Sequence, residues 1–324
     1  MLETESCSIQ LNQIDWNDTS CLITYGPLPH KLVLSIQSTG LIAPPLLQSK
    51  NNGFFRIVCG GRRLAACKKI GLDSPHCRVL TGSLEHQRCL RLAIYDNVAQ
   101  RILNPVEKSL ALAKMSHYLE ETRLIDEFMP ILDLEPSIAL FNRYVGLHNL
   151  EGMILHALAT GRLNERIAFA LAKQEQGDRL AYARLFQELP FSVSVQEEIV
   201  ELAEEIARKE NLTPEQVLSS KEVRALRKTS KKPARQRAQA IRKHLQDRCN
   251  PRLAARRDRF GRETRDLGLP RGVRLVPPPY FEGAKWILEC TFERVEELAN
   301  RLRRVVQLAD QPELQKIMES KIDV

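Results

Sequence analysis

Apolar spacing changes character along the chain. Ile9, Leu11 and Ile14 mark a strand-like stretch over Ser8–Ile14. After the Gly26-Pro27-Leu28-Pro29 turn, Leu32, Leu34 and Ile36 predict a short amphipathic helix, His30–Ser38, that ends at Gly40. Leu41–Leu47 leads into a strand and Asn51-Asn52-Gly53 forms a hairpin turn. Phe54–Cys59, rich in aromatic and branched side chains, is the second strand. A helical run over Leu64–Ile70 closes on Gly71, and Cys77–Leu80 suits a further strand. Alternation of this kind predicts a mixed domain of strands and helices over 1–103.

From residue 104 the period becomes helical. Asn104-Pro105-Val106-Glu107 combines a cap residue, proline at the first helical position and glutamate three after the cap, which predicts a helix to about Glu121. Short helices near Leu124–Leu132, Pro136–Val145, Leu150–Thr160 and Asn164–Gln174 follow, with brief connections. They suit a helix-turn-helix DNA-binding domain or a plain helical bundle. Ile199, Leu202 and Ile206 mark one face of a later helix, and Thr213-Pro214-Glu215-Gln216 is another cap-like start, which extends the helical region over 104–220. A basic helical linker, 221–272, separates it from a terminal strand–helix module, 273–324. There Val273–Val276 is strand-like, and Trp286, Leu288, Cys290 and Phe292 make the more apolar face of a strand over Lys285–Phe292. Val295, Leu298, Leu302 and Val305 form a helical stripe. One strand and one helix, about 40 residues, are too few to bury a core, so this end is expected to pair with a second copy. Docking onto the preceding helices of the same chain is the alternative.

Composition narrows the class. With 43 % hydrophobic and 27 % charged residues among 324, the chain is neither a disordered tail nor a fibrous repeat. Apolar runs such as Ile167–Ala172 fall far short of the ~18 residues of a membrane helix, and MLETESCSIQ lacks the order of a signal peptide. A soluble, cytoplasmic protein with no membrane partner is expected. The eight cysteines contain no C-x-x-C pair, which suits reduced core thiols. Charge is local: Lys221–Arg274 holds 19 Lys or Arg against 5 Asp or Glu, whereas the whole chain carries only +8. Such a segment suits a polyanion, and with Phe260 as its one aromatic residue it favours backbone contact to duplex DNA over base stacking. A solvated pair of basic helices is the alternative.

The Phe54–Cys59 strand runs into Gly60-Gly61-Arg62-Arg63 at a helix start. Two glycines let backbone approach an anion, helix amides point outward, and two guanidiniums add charge-assisted hydrogen bonds. The turn has neither the Lys-Ser/Thr of a P-loop nor the spacing of a dinucleotide fingerprint.

IVCGGRRLAACKKIGL (57–72), with LVLSIQSTGLIAPPLL (32–47) before it and YDNVAQRILNPVEKSLAL (95–112) after it, resembles the ParB-type chromosome and plasmid partition family in order, spacing and residue type. The resemblance covers about residues 9–175. LFNRYVGLHNLEGMILHALATGRLNERIAFALA (140–172) is similar to that family's recognition helix and the stretch beyond it. GAKWILECTFERVEELANRLRRVV (283–306) is similar, less specifically, to its dimerisation module. The resemblance implies an α+β chain: a ParB/sulfiredoxin-like α/β domain that binds CTP with Mg2+, a central all-α helix-turn-helix domain, and a C-terminal strand–helix dimer module. It implies a DNA-binding protein of chromosome or plasmid partition, associated with the nucleoid. Such a dimer would recognise a centromere-like site on double-stranded DNA, close as a clamp in response to CTP, and work with a ParA-type ATPase.

Carried over by position, Gly60, Gly61, Arg62 and Arg63 hold phosphates, Thr39 and Gly40 lie near the nucleotide, and Asp96 and Asn97 meet magnesium or the triphosphate. On the candidate recognition helix Ser137, Asn142 and Arg143 are the polar contacts, and Arg235 and Arg237 of the basic segment meet DNA phosphates. Three positions depart from the family: Gly61 stands where a glutamate is usual, Ala43 where a glutamine is, and Gln100 where an arginine is, with Arg101 beside it. Loss of a carboxylate and an amide near the phosphates leaves at most a weak CTPase. The alternatives are a ParB-derived transcription or nucleoid factor without a nucleotide switch and, further off, a sulfiredoxin-like phosphotransferase or a nuclease. Cys59 precedes the glycines rather than following them as in sulfiredoxin. Asp96 stands alone, and His30, His76 and His86 show no ligand spacing.

Overall fold

The computed structural model describes residues 2–229, 232–309 and 311–319. The chain divides into two compact units, Met1–Glu197 and Glu198–Val324.

The first unit begins with β1 (Thr4–Ser8), α1 (His30–Thr39), β2 (Leu46–Ser49), β3 (Phe55–Cys59), α2 (Gly61–Ile70), β4 (His76–Leu80) and α3 (His86–Gln100). The strands form one sheet in the order β1-β4-β2-β3, parallel between β4 and β2 and antiparallel at the other two pairs. Successive side chains of a strand point to opposite faces, and β3 shows the result. Ile57 joins Ile9, Leu11, Ile14, Leu47, Leu64 and Cys77 in one cluster, while Val58 joins Cys21, Leu80, Cys89 and Ala93 in another; Cys59 packs with the second cluster too, at the end of β3 where the register with β2 shifts between Leu46 and Leu47. Gly53, at φ 78°, turns β2 into β3, and the Lys50 amide donates to the Phe54 carbonyl at 2.8 Å.

The helices that follow are α4 (Pro105–Met115), α5 (Glu121–Arg123), a π-helical turn over Leu124–Phe128, α6 (Met129–Ile131), α7 (Ile138–Leu147), α8 (Gly152–Ala159), α9 (Glu165–Leu171), α10 (Gln176–Glu188) and α11 (Val193–Glu210), inside which the division falls. The π turn explains how Pro130 sits in a helical run. Proline has no amide to donate and clashes with the carbonyl four residues back, so the chain widens before it, and the Met129 amide reaches the Leu124 carbonyl five residues back.

The second unit continues with α12 (Pro214–Leu218), α13 (Lys221–Lys228), α14 (Ala234–Cys249) and α15 (Pro251–Asp266). β5 (Val273–Val276), β6 (Ile287–Cys290), α16 (Val295–Ala309) and α17 (Pro312–Glu319) complete it. β5 and β6 pair antiparallel, Val273 opposite Cys290 and Val276 opposite Ile287. Leu267, Leu275 and Ile317 make a small core with Phe260, Trp286 and Leu314. On α14 Ala238, Ile241, Leu245 and Cys249 are buried at helical spacing, whereas α16 buries no residue.

Two boundaries differ most from the sequence reading, and the last strand is shorter than expected, Ile287–Cys290 rather than Lys285–Phe292. The first strand is Thr4–Ser8, not Ser8–Ile14. Ile9, Leu11 and Ile14 are buried anchors of an irregular segment whose Ile9 and Leu11 amides donate to the Pro75 and Asp73 carbonyls, so their alternation reports inward pointing and not a strand. The helix begun at Asn104 ends at Met115, where the Ser116 hydroxyl donates to the Ala113 carbonyl at 2.7 Å.

Candidate functional site

β3 delivers the chain to Gly60, whose left-handed backbone (φ 85°) turns it into α2 with no side-chain cap. Around this turn lies a cavity of about 210 Å³ lined by Thr24, Pro29, Leu32, Gly60, Gly61, Arg62, Arg63, Asp96, Asn97, Gln100 and Arg101. Six residues that sequence pointed to at this site thus come together: Gly60, Gly61, Arg62, Arg63, Asp96 and Asn97. Thr39 and Gly40 lie at the end of α1, where the Thr39 hydroxyl donates to the Ser35 carbonyl and Gly40 caps the helix at φ 73°. Neither is among the residues lining the cavity.

Each arginine is held. Arg63 donates to the Ala43 carbonyl at 2.7 Å and reaches Asp96 at 3.4 Å. Asp96 also accepts from Gln100 at 2.7 Å. Arg62 donates to the Tyr25 carbonyl and to Glu107 at 3.0 Å, while its buried Nε has no hydrogen-bond partner among the described residues. Burial first, and then the neighbouring Arg101 charge, press the Arg62 guanidinium below its ordinary pKa, with Glu107 opposing. Arg101 donates to both Glu107 oxygens, at 2.6 and 2.8 Å, and to Asn97 at 2.9 Å.

Sequence reasoning missed Glu107, whose side chain is fully buried behind the cavity. Its signal was present but fully used: as third residue of the helix after Asn104 it closes a capping box, accepting from the Asn104 amide at 3.0 Å. The same carboxylate also accepts from the Tyr25 amide at 3.1 Å. Three guanidiniums against two carboxylates leave the site with a surplus of one positive charge, which suits a phosphorylated ligand.

A magnesium ion bound with such a ligand needs one or two carboxylates and takes its other ligands from phosphate and water. Asp96 supplies one carboxylate at the cavity edge, so the residues fit an ion shared with phosphate. The Asn97 side chain is already engaged, donating to the Ala93 carbonyl and accepting from Arg101. No group of three or more His, Cys, Asp or Glu placed to hold a metal occurs among the described residues.

The candidate DNA contacts are placed differently from one another. Ser137 caps α7, its hydroxyl accepting from the Leu140 amide. Asn142 and Arg143 are exposed on α7, Arg143 lying over the Phe169 ring, with Ile138 and Ala139 exposed beside them. Arg235 is exposed on α14, whereas Arg237 is half-buried and donates to the Arg227 carbonyl at the end of α13. No helix among the described residues is long and apolar enough to cross a membrane.

Fold and turn together define an α+β domain with a cationic cavity at a glycine-led helix start. Residues 7–98 match the family model of the ParB N-terminal domain. A probable chromosome-partitioning protein ParB of Vibrio cholerae is 31% identical over 87 residues, 27% of this chain and 29% of that protein. A nucleoid occlusion protein of Geobacillus kaustophilus is 30% identical over 86 residues, 26% of this chain and 30% of that protein. The chain thus spans less than a third of the length of these curated relatives. Among solved structures, the C-terminally truncated ParB of Caulobacter crescentus complexed with CTP-gamma-S is 21% identical and covers 56% of this chain and 98% of that one, with a TM-score of 0.27. Residues 7–98 are thus similar to the ParB N-terminal domain, and over that part the chain resembles ParB-type partition proteins.

Proposed function

We propose that the protein is a ParB-type DNA-binding partition protein, dimeric through its C-terminal module, whose N-terminal cavity takes CTP with Mg2+ and closes the dimer as a clamp on duplex DNA. The observation that supports this reading is the cavity itself: Arg62, Arg63 and Arg101 converge on the Gly60 turn, in and beside residues 7–98 that match the ParB N-terminal domain. Bound there, the nucleotide would supply a triphosphate and its metal. Arg62, Arg63 and Arg101 would hold phosphate oxygens, and Asp96 would face the ion. Exposed Asn142 and Arg143 on α7 suit base contact, and Arg235 with the exposed cations of α13 to α15 suits the phosphate backbone. The domain organisation proposed is 1–103, 104–220, 221–272 and 273–324, with Glu107 bonding across the first boundary to Tyr25 and Arg62. A ParA-type ATPase is the proposed segregation partner.

Calorimetric titration with CTP and Mg2+, against ATP, GTP and UTP, tests the reading. Micromolar CTP binding that is lost in Arg62→Ala/Arg63→Ala supports it, and no binding to any nucleotide by folded protein refutes it. With Gly61 in place of a carboxylate, phosphate release in the same samples is expected to stay near background. A nucleoid factor without a ParA-type partner is the second reading, because nucleoid occlusion proteins match to a similar degree and extent. A stimulatory effect on a ParA-type ATPase separates the two.

A further inference from the structure

Glu107 is an unusual neighbour for an anion site, lying behind the residues that line it. A carboxylate with no exposure sits behind two cationic side chains and accepts five hydrogen bonds: from the Tyr25 and Asn104 amides, from Arg62, and twice from Arg101. Two of the guanidiniums that line the cavity therefore already have an anion, while the Nε of Arg62 has no acceptor among the described residues. A buried donor without an acceptor is costly, so the arrangement satisfies the arginines incompletely.

We propose that Glu107 is the internal counter-anion of the cavity: it holds Arg62 and Arg101 when no ligand is present and competes with an entering polyphosphate for them, and so sets the affinity of the site. The inference rests on the cavity being a polyphosphate site. Without Glu107 the two half-buried guanidiniums would face each other with no anion between them, which is costly to the free protein. With it, each phosphate oxygen gained by Arg62 or Arg101 is gained against a contact already made. The same carboxylate fixes Tyr25 and the first turn of α4. Around it the Asn104 amide group donates to the Tyr25 carbonyl at 3.1 Å, and Lys114 donates to the Thr19 and Leu22 carbonyls at 2.5 and 2.6 Å. These bonds keep the segment 19–25 in place when the charge of Glu107 is removed.

The test uses the full chain, with tripolyphosphate and Mg2+ as the probe and CTP as the second ligand. Glu107→Gln is expected to melt at lower temperature when free, to bind tripolyphosphate about tenfold more tightly, and to gain more melting temperature from saturating ligand than the parent does. A purely structural glutamate would lower the melting temperature equally with and without ligand and leave affinity unchanged or weaker, and that result overturns the proposal. If Glu107→Gln does not fold alone, the pair Arg101→Gln and Arg101→Gln/Glu107→Gln decides the matter: the double variant, in which Arg62 has lost its counter-anion, is expected to bind tripolyphosphate about tenfold more tightly than Arg101→Gln, and equal affinity overturns the proposal. Absence of any tripolyphosphate or nucleotide binding by the parent protein overturns the underlying site as well, whereas parent binding without the gain in Glu107→Gln overturns the role of Glu107 alone.

Discussion

At the scale of single residues, the N-terminal domain holds its charges in tight groups. Asp18, whose side chain is 9% exposed, accepts from Arg56 at 2.7 Å, from Lys50 at 3.1 Å and from the Ser20 hydroxyl. Burial pushes its carboxyl upward, but the bonds from Ser20, Arg56 and Lys50 prevail and hold it well below the ordinary carboxylate range. A carboxyl depressed on folding stabilises above its unfolded pKa, and that stabilisation is lost as pH falls toward the folded value. Asp18→Asn is therefore expected to cost about 2 kcal/mol at neutral pH. The deficit should be constant from about pH 5 to 7 and close below about pH 4. Urea denaturation of both proteins across that range checks it, and a deficit that persists unchanged at pH 3 refutes it. Sequence alone reached Gly60, Gly61, Arg62 and Arg63 because their chemistry is contiguous. It did not reach Glu107, whose partners Arg62 and Tyr25 lie 45 and 82 residues away and whose local role as a cap already accounted for it.

At the scale of elements, glycines set where α2 begins and ends, and the two ends have different consequences. Gly60 and Gly71 both adopt left-handed backbone, φ 85° and 76°, so alanine at either position should cost about 1–2 kcal/mol. A Cβ at Gly60 would lie 3.0 Å from the Arg63 guanidinium, whereas one at Gly71 meets nothing within 4 Å. Gly60→Ala is thus expected to lower the melting temperature and weaken polyphosphate binding by displacing Arg63 from Ala43 and Asp96. Gly71→Ala should lower the melting temperature alone. Paired melting curves and titrations separate these outcomes, and equal loss of binding in both variants would refute the assignment. The same local signals made α1, α2 and the β2–β3 hairpin legible from sequence, since Gly40, Gly53 and Gly71 each stand where positive φ occurs. β1 was not legible because Thr4–Ser8 is mostly exposed and polar; its place in the sheet comes from pairing with β4 some 70 residues away, which no local pattern encodes.

At the scale of the whole molecule, the terminal module carries an apolar surface that the described residues of one copy do not cover. Ile287 on β6 is 51% exposed, Phe292 48%, and on α16 Val295, Leu302 and Val306 are 73%, 45% and 64% exposed. Val295, Leu302 and Val306 recur at intervals of seven and four, so they share one face of the helix. Covering such side chains contributes about 1.5–3 kcal/mol each when burial is complete. A second copy supplies an identical face, and a two-fold interface requires a patch complementary to itself. Loss of that face should also act on DNA, because two copies neutralise twice as many phosphates as one and the salt dependence of binding scales with that number. Leu302→Glu/Val306→Glu is therefore expected to sediment as a monomer where the parent sediments as a dimer, with unchanged helical circular dichroism. Its binding to duplex DNA should weaken and show a slope against salt about half as steep. A parent protein that sediments as a monomer at every concentration would refute pairing through this module, and a folded variant that stays dimeric would place the interface elsewhere.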